Sequence, residues 1–200
     1  MIRRAFTAGL FAFGALAALP AQAQQLSLGA ISQYLNTIQA AEGSFTQINA
    51  DGTISTGTIS IKRPGKVRFD YNPPEYALVL ASAGAVYILD RKLGSSPETY
   101  PLNQTPLSII LDRNVDLTRA GMVKGHSYDG TATIVTAQDP KRPEYGSIQL
   151  KFTANPVELR QWVITDGNGS QTTVVLGGLE KKSLPNTMFY IDPELKKLNR

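Results

Sequence analysis

His126 is the one histidine in the chain, and any catalytic reading starts there. An imidazole beside a serine and an aspartate is the machinery of nucleophilic hydrolysis. Here it stands between Gly125 and Ser127, with no Gly-x-Ser-x-Gly elbow to present a nucleophile. An exported hydrolase using His126 is the remote alternative. With a single histidine and no cysteine, a multi-histidine metal centre, zinc–thiolate sites, iron–sulfur clusters, thiol nucleophiles and disulfides are excluded. Asp166-Gly167-Asn168 opens like a calcium loop, but its sixth position is Gln171 and its twelfth is Gly177. The glycine for the sharp turn and the bidentate glutamate are both missing, so the segment reads as a hairpin turn. Phosphate-cradling glycine loops are absent. No catalytic residue, metal ligand set or cofactor is expected.

Arg63 is the unusual residue. In Gly57-Thr58-Ile59-Ser60-Ile61-Lys62-Arg63, strict alternation puts Ile59, Ile61 and Arg63 on one strand face and Thr58, Ser60 and Lys62 on the other. An arginine that continues an apolar face must reach water, meet a carboxylate or donate to backbone carbonyls, because an unpaired buried charge is costly. Two readings follow. Either Arg63 snorkels out at the strand end before Pro64, or its five donors hold something at the open end of a barrel.

The elements that must position these residues are mostly strands. Ser27 can cap a helix running to Ala41 with Leu28, Ile31, Leu35 and Ile38 on one face, ended by Gly43. Period-two segments follow: Phe45 to Ile48, Gly57 to Arg63, Val67 to Tyr71, Ala77 to Ser82 and Val86 to Asp90, punctuated by Asp51-Gly52, Pro64-Gly65 and Asn72-Pro73-Pro74. Thr105-Pro106 opens a short apolar helix, Leu107 to Leu111, with Thr105 as cap. Strands resume from Met122 to Tyr128, Thr131 to Gln138, Gly146 to Thr153, Val157 to Thr165 and Thr172 to Leu176. Phe189-Tyr190-Ile191 is expected to close the sheet. The apolar faces (Phe45, Ile59, Ile61, Val67, Phe69, Tyr71, Leu78, Leu80, Ile148, Leu150, Phe152) and two apolar helices either fill one dry core or enclose a cavity. Periodicity does not separate these.

Met1 to Ala23 reads as a secretory signal peptide: Arg3-Arg4, an uncharged run from Ala5 to Leu19, then Ala21-Gln22-Ala23 as the cleavage site. The run is too short to favour a membrane anchor. Losing Arg3 and Arg4 takes the basic count from 20 to 18 against 16 acidic residues, a formal charge of +2. That is too small for a nucleic-acid binder. Residues 24–200 contain no long linker and are expected to form one domain, exported and monomeric.

The stretch from Gly57 to Tyr71, with its Lys62-Arg63-Pro64 turn, and the following Asn72-Pro73-Pro74 resemble the periplasmic outer-membrane lipoprotein carriers of the LolA family. Gly84-x-x-Tyr87-x-x-Asp90, Thr105-Pro106, Asp166-x-x-Gly169-x-x-Thr172 and Phe189-x-x-x-Pro193 agree with it. The resemblance covers most of Leu26 to Pro193.

The resemblance implies a mainly β fold: an unclosed antiparallel β-barrel whose concave apolar face is covered by short α-helices. It implies a lid latch at Arg63 and an acyl-chain cavity lined by Phe45, Ile59, Ile61, Val67, Phe69, Tyr71, Leu80, Ile148, Leu150 and Phe152. The lid would be Leu28, Ile31, Leu35, Ile38, Leu107, Ile110 and Leu111. Implied partners are lipoproteins held by their acyl chains, the inner-membrane ABC transporter LolCDE and the outer-membrane receptor LolB. Departures are Tyr87, where the family often has Trp, and a short tail after Pro193. An exposed loop from Lys92 to Pro97 with Leu93 at its tip would suit a carrier that also inserts lipoproteins into the membrane. A carrier of glycolipid or another lipid keeps the same fold.

Overall fold

The computed structural model describes residues 25–198. Twelve strands form one antiparallel sheet: β1 (Ala40–Ile48), β2 (Ile54–Lys62), β3 (Lys66–Tyr71), β4 (Ala77–Ser82), β5 (Ala85–Asp90), β6 (Glu98–Pro101), β7 (Val123–Tyr128), β8 (Thr133–Ala137), β9 (Ser147–Thr153), β10 (Glu158–Thr165), β11 (Gln171–Leu176) and β12 (Glu180–Lys181). The order is β6-β5-β4-β3-β2-β1-β11-β10-β9-β8-β7, with β12 pairing alongside β1. Nearly every neighbour is consecutive in sequence, so short hairpins suffice. The long-range joins are both on β1: to β11, where Phe45 faces Leu176 and Ile48 faces Thr173, and to β12, where Ala41 faces Lys181. Edge strands β6 and β7 do not pair with each other, so the barrel stays open.

The chain between those edges crosses the opening and carries α2 (Leu107–Leu111). Helix α1 (Leu28–Thr37) precedes β1, and α3 (Asp192–Leu198) ends the described chain. Ser27 caps α1 as expected, its Oγ accepting from the Ala30 N–H at 3.1 Å. Ile31 and Leu35 bury the inner face of α1 against Ile59, Ile61, Val67, Ile148, Leu150 and Phe152 of the sheet, and α2 adds Leu107, Ile109, Ile110 and Leu111 to the same core. The helices therefore cover the concave face. Leu28 packs against that core from its margin. Outside the curve, a smaller apolar cluster joins Leu78, Leu80 and Leu89 to Leu184 and Phe189 of the C-terminal segment. That segment is tied down by Lys62 Nζ on the Leu184 carbonyl at 2.5 Å. Arg68 and Arg91 pair with Asp70 and Glu194.

Four expectations are corrected. Gly43 does not end a helix; α1 stops at Thr37 and Gly43 lies inside β1. A Cβ on Gly43 would sit 2.5 Å from the Gly178 carbonyl oxygen, so close backbone approach explains the glycine. Thr105 does not cap α2: its hydroxyl donates to the Leu102 carbonyl, and Pro106 occupies the cap position. Phe189-Tyr190-Ile191 is not a strand; a 3-10 turn at Asn186–Phe189 leads into α3, and the Phe189 ring is buried on the outer face. Leu80 is not on the concave wall. It points into the outer cluster with Leu78, while Val79 and Ala81 face inward. Because the C-terminal segment covers β4 from outside, both faces of that strand are buried and its sequence shows no alternation. The expected signal peptide, residues 1–23, lies outside the described residues.

Candidate functional site

Arg63 closes the β2–β3 turn and is 7% exposed. Among the described residues no carboxylate pairs with it. Its Nε donates to the Asp112 carbonyl at 2.9 Å and Nη2 to the same oxygen at 2.5 Å. Nη1 donates to the Leu35 carbonyl, and Nη2 also reaches Asn36 Oδ1 at 2.9 Å. Leu35 sits in the last turn of α1, and Asp112 is the residue that ends α2. One guanidinium thus serves the carbonyl ends of both covering helices, where orphaned acceptors and the negative end of the helix dipole favour a cation. Burial lowers the Arg63 pKa, with the Asp112 charge opposing; a guanidinium nonetheless stays charged at neutral pH.

The turn adds backbone bonds of its own: the Arg63 N–H donates to Gln39 O at 2.8 Å, and the Gly65 N–H to Leu111 O at 2.8 Å. Asn36 fastens α1 to the chain beyond α2. Its Nδ2 donates to the Val115 carbonyl at 2.9 Å, and its Oδ1 accepts from the Val115 N–H at 2.9 Å. Ser32 Oγ accepts the Leu117 N–H at 3.0 Å. Sequence reasoning found Arg63 and missed Asn36 and Ser32, which are polar residues of ordinary kind on a short helix. The signal for Ser32 was its place next to Ile31 on the apolar side.

A cavity of about 580 Å³ opens at the other end of the concave face. Its apolar wall is Phe69, Val79, Val86, Trp162, Ile164 and Val174, with Leu107 of α2 at one side. Polar groups rim it: Gln47, Gln104, Thr105, Asn168 and Thr172. Tyr71 also lines it, and its hydroxyl donates to Gln47 Oε1 at 2.6 Å. Burial pushes the Tyr71 pKa up to about 12, against the lowering effect of the Gln47 bond. The Trp162 indole N–H is buried, and among the described residues no acceptor lies within hydrogen-bonding distance of it.

Of the expected lining residues, Phe69 and Tyr71 face this space, and so does Leu107, expected in the lid. Phe45 stands behind them, edge-on to Phe69 at 5.3 Å and to Tyr71 at 5.0 Å. Phe69 meets Trp162 edge-on at 6.2 Å. Ile59, Val67, Ile148, Leu150 and Phe152 lie in the packed core under the helices. Ile61, with Leu35, Ile38, Ile110, Leu111 and Arg63, surrounds a void of about 20 Å³. The concave face is therefore dry and filled beneath α1 and hollow beyond the aromatic layer. The hollow wall from β5, β10 and β11 was missed; in β11 Val174, Val175 and Leu176 form a continuous apolar run in which alternation does not mark the inward face.

His126 is exposed on edge strand β7, and its Nε2 lies 2.8 Å from the Leu26 carbonyl oxygen. Asp166 Oδ1 accepts from the N–H groups of Asn168 and Ser170, the local turn chemistry of a hairpin.

A family profile described as outer membrane lipoprotein carrier protein LolA matches residues 36–192. The chain is 24% identical to the outer-membrane lipoprotein carrier protein of Azotobacter vinelandii, over 93% of each chain. It is 26% identical to that of Neisseria gonorrhoeae (85% of this chain, 86% of the other) and 27% identical to that of Chromohalobacter salexigens (88% of each). It is also similar to a solved LolA superfamily protein from Nitrosomonas europaea, with 11% identity, a TM-score of 0.44, and coverage of 84% of this chain and 99% of that one. The chain belongs to the LolA family of lipoprotein carriers.

Proposed function

We propose that this member of the LolA family is a periplasmic chaperone rather than an enzyme. It would take lipoproteins released from the inner membrane, shelter their acyl chains on its concave face and carry them to the outer membrane. The observation that carries the reading is the pairing of a hollow apolar cavity with a buried arginine whose hydrogen bonds end on both covering helices. Burying a methylene is worth about 0.8 kcal/mol, so a dozen of them oppose release into water by roughly 10 kcal/mol. A carrier must cover that surface and still give it up. Polar bonds that hold the empty form closed compete with cargo, weaken its binding and favour hand-over to an acceptor. The donor would be a LolCDE-type transporter and the acceptor a LolB-type receptor.

The test is to mix the purified protein with inner-membrane vesicles containing an active transporter and labelled lipoprotein. A soluble complex of the two is the expected product. Failure to release any lipoprotein contradicts the reading. Mass spectrometry of ligands copurified from the native host separates lipoprotein cargo from glycolipid or another lipid. Activity of an exported hydrolase would have to vanish in a folded His126→Ala variant.

A second reading has its own observation. Leu93 is 77% exposed in the turn after β5, beside Lys92, whose Nζ stands 6.0 Å from the exposed Tyr76 ring. An apolar tip flanked by a cation suits a membrane interface, and delivery without a separate receptor would follow. Transfer of cargo into protein-free liposomes, lost in Leu93→Glu, supports it; retention of cargo in the soluble fraction contradicts it.

A further inference from the structure

The cavity and the latch occupy different parts of the concave face. The cavity wall includes no residue of α1, and Leu107 is its one residue from α2. Arg63, Asn36 and Asp112 are all absent from it. The edge-on contacts of Phe45, Phe69 and Trp162 stand between the hollow end and the packed end where α1 is held. The space is therefore reachable while every bond from Arg63 to the two helices is intact.

Its size sets what fits. At about 30 Å³ for each methylene-sized group, the share of a water molecule in the liquid, 580 Å³ holds roughly twenty heavy atoms. That is one acyl chain with part of its head, not two or three chains. Glu144 and Asp166 are the charged side chains on the wall and rim. Arg142 stands beyond them, with its guanidinium 5.8 Å from the Tyr145 ring. An anionic head would meet two carboxylates at the opening, so the ligand is a chain on an uncharged ester or amide.

We propose that the closed protein binds a single acyl chain with an uncharged head in this cavity without releasing the Arg63 latch, and that the latch opens only for cargo with further chains. The first chain enters a preformed compartment; later chains must displace α1 and α2 from the packed end. The inference rests on the acyl-carrier reading of the cavity and adds an order of loading to it.

Two readouts test it in the intact protein. Trp162 is the one tryptophan in the chain and lies on the wall, so its fluorescence reports occupancy. Amide exchange of Arg63, Gly65 and Leu117, whose N–H groups bond to Gln39, Leu111 and Ser32, reports the latch. Monolaurin below its micelle concentration is expected to change Trp162 fluorescence saturably while exchange at the three amides shifts by less than about twofold. Dilauroylglycerol is expected to speed those amides by about tenfold or more, and laurate to bind more weakly than monolaurin. Val79→Trp, which fills the wall, should abolish the monolaurin signal measured by calorimetry and leave the amides protected. Loss of protection on binding monolaurin overturns the proposal, as does binding of dilauroylglycerol with the amides still protected. Either result leaves the carrier function standing; that function falls only if no lipoprotein is released from vesicles.

Discussion

Among the described residues Arg63 has no carboxylate partner, so its charge is stabilised by carbonyl groups: that of Asp112, and that of Leu35, which also accepts the Ile38 N–H at 3.2 Å. Hydrogen bonds to a charged group contribute about 1.5–3 kcal/mol each. In Arg63→Leu the Asp112 carbonyl loses its side-chain donors and the Leu35 carbonyl keeps only the Ile38 N–H in the closed form, and the lid equilibrium is expected to move toward open by about 3 kcal/mol, roughly 100-fold. The sheet should persist, read as an unchanged far-ultraviolet spectrum, while amides of α1 lose protection. Cargo should remain on this variant when an acceptor is added. Normal protection and normal transfer would mean that Arg63 merely ends a strand. Tyr71 reports on the cavity rim. Its hydroxyl titrates near 10 when unfolded and at about 12 when folded, so its contribution is complete below pH 10 and is lost as pH rises toward 12. That difference corresponds to at most about 3 kcal/mol. Denaturant titrations should show that decline between pH 10 and 12 in the wild type and a flatter course in Tyr71→Phe.

Helix α1 is held by the arginine, the Asn36 amide, the Ser32 hydroxyl and an apolar stripe. Asn36→Ala removes both bonds to Val115 and one acceptor of Arg63, and about 2–4 kcal/mol of lid closure should go with it. Hydrogen exchange at Val115 and Leu117 measures that loss; unchanged rates would place the coupling elsewhere. The elements themselves were legible where local chemistry decides them. Ser27 announced α1, and alternation through Gly57 to Tyr71 gave two strands, a turn and the inward face of Arg63. Legibility failed where a remote segment changes the rule. Leu80 read as lining because nothing local reveals that the chain near Leu184 and Phe189 covers β4 from outside. Gly43 read as a helix stop because a strand glycine that admits the Gly178 backbone looks the same in sequence. Trp162 escaped notice because an aromatic on a strand is usually plain core.

For the whole molecule, an open sheet with unpaired edges β6 and β7 leaves one end of the concave face uncovered, and the cavity is there. The apolar surplus in the sequence pointed to either a filled core or a hollow one. The structure has both, divided by Phe45, Phe69 and Trp162, a division that depends on contacts between distant strands and has no local signature. The central claim is that acyl chains lie inside the curve. Ile88 on the cavity wall and Val175 on the outer face of β11 are each 38% exposed, so a photo-crosslinking amino acid is equally accessible at either. Illumination of the carrier loaded with acylated lipoprotein should give a crosslink to the acyl chain from position 88 and none from position 175, and unacylated lipoprotein should give neither. Equal crosslinking from both positions, or capture of the acyl chain from 175 alone, would contradict the account.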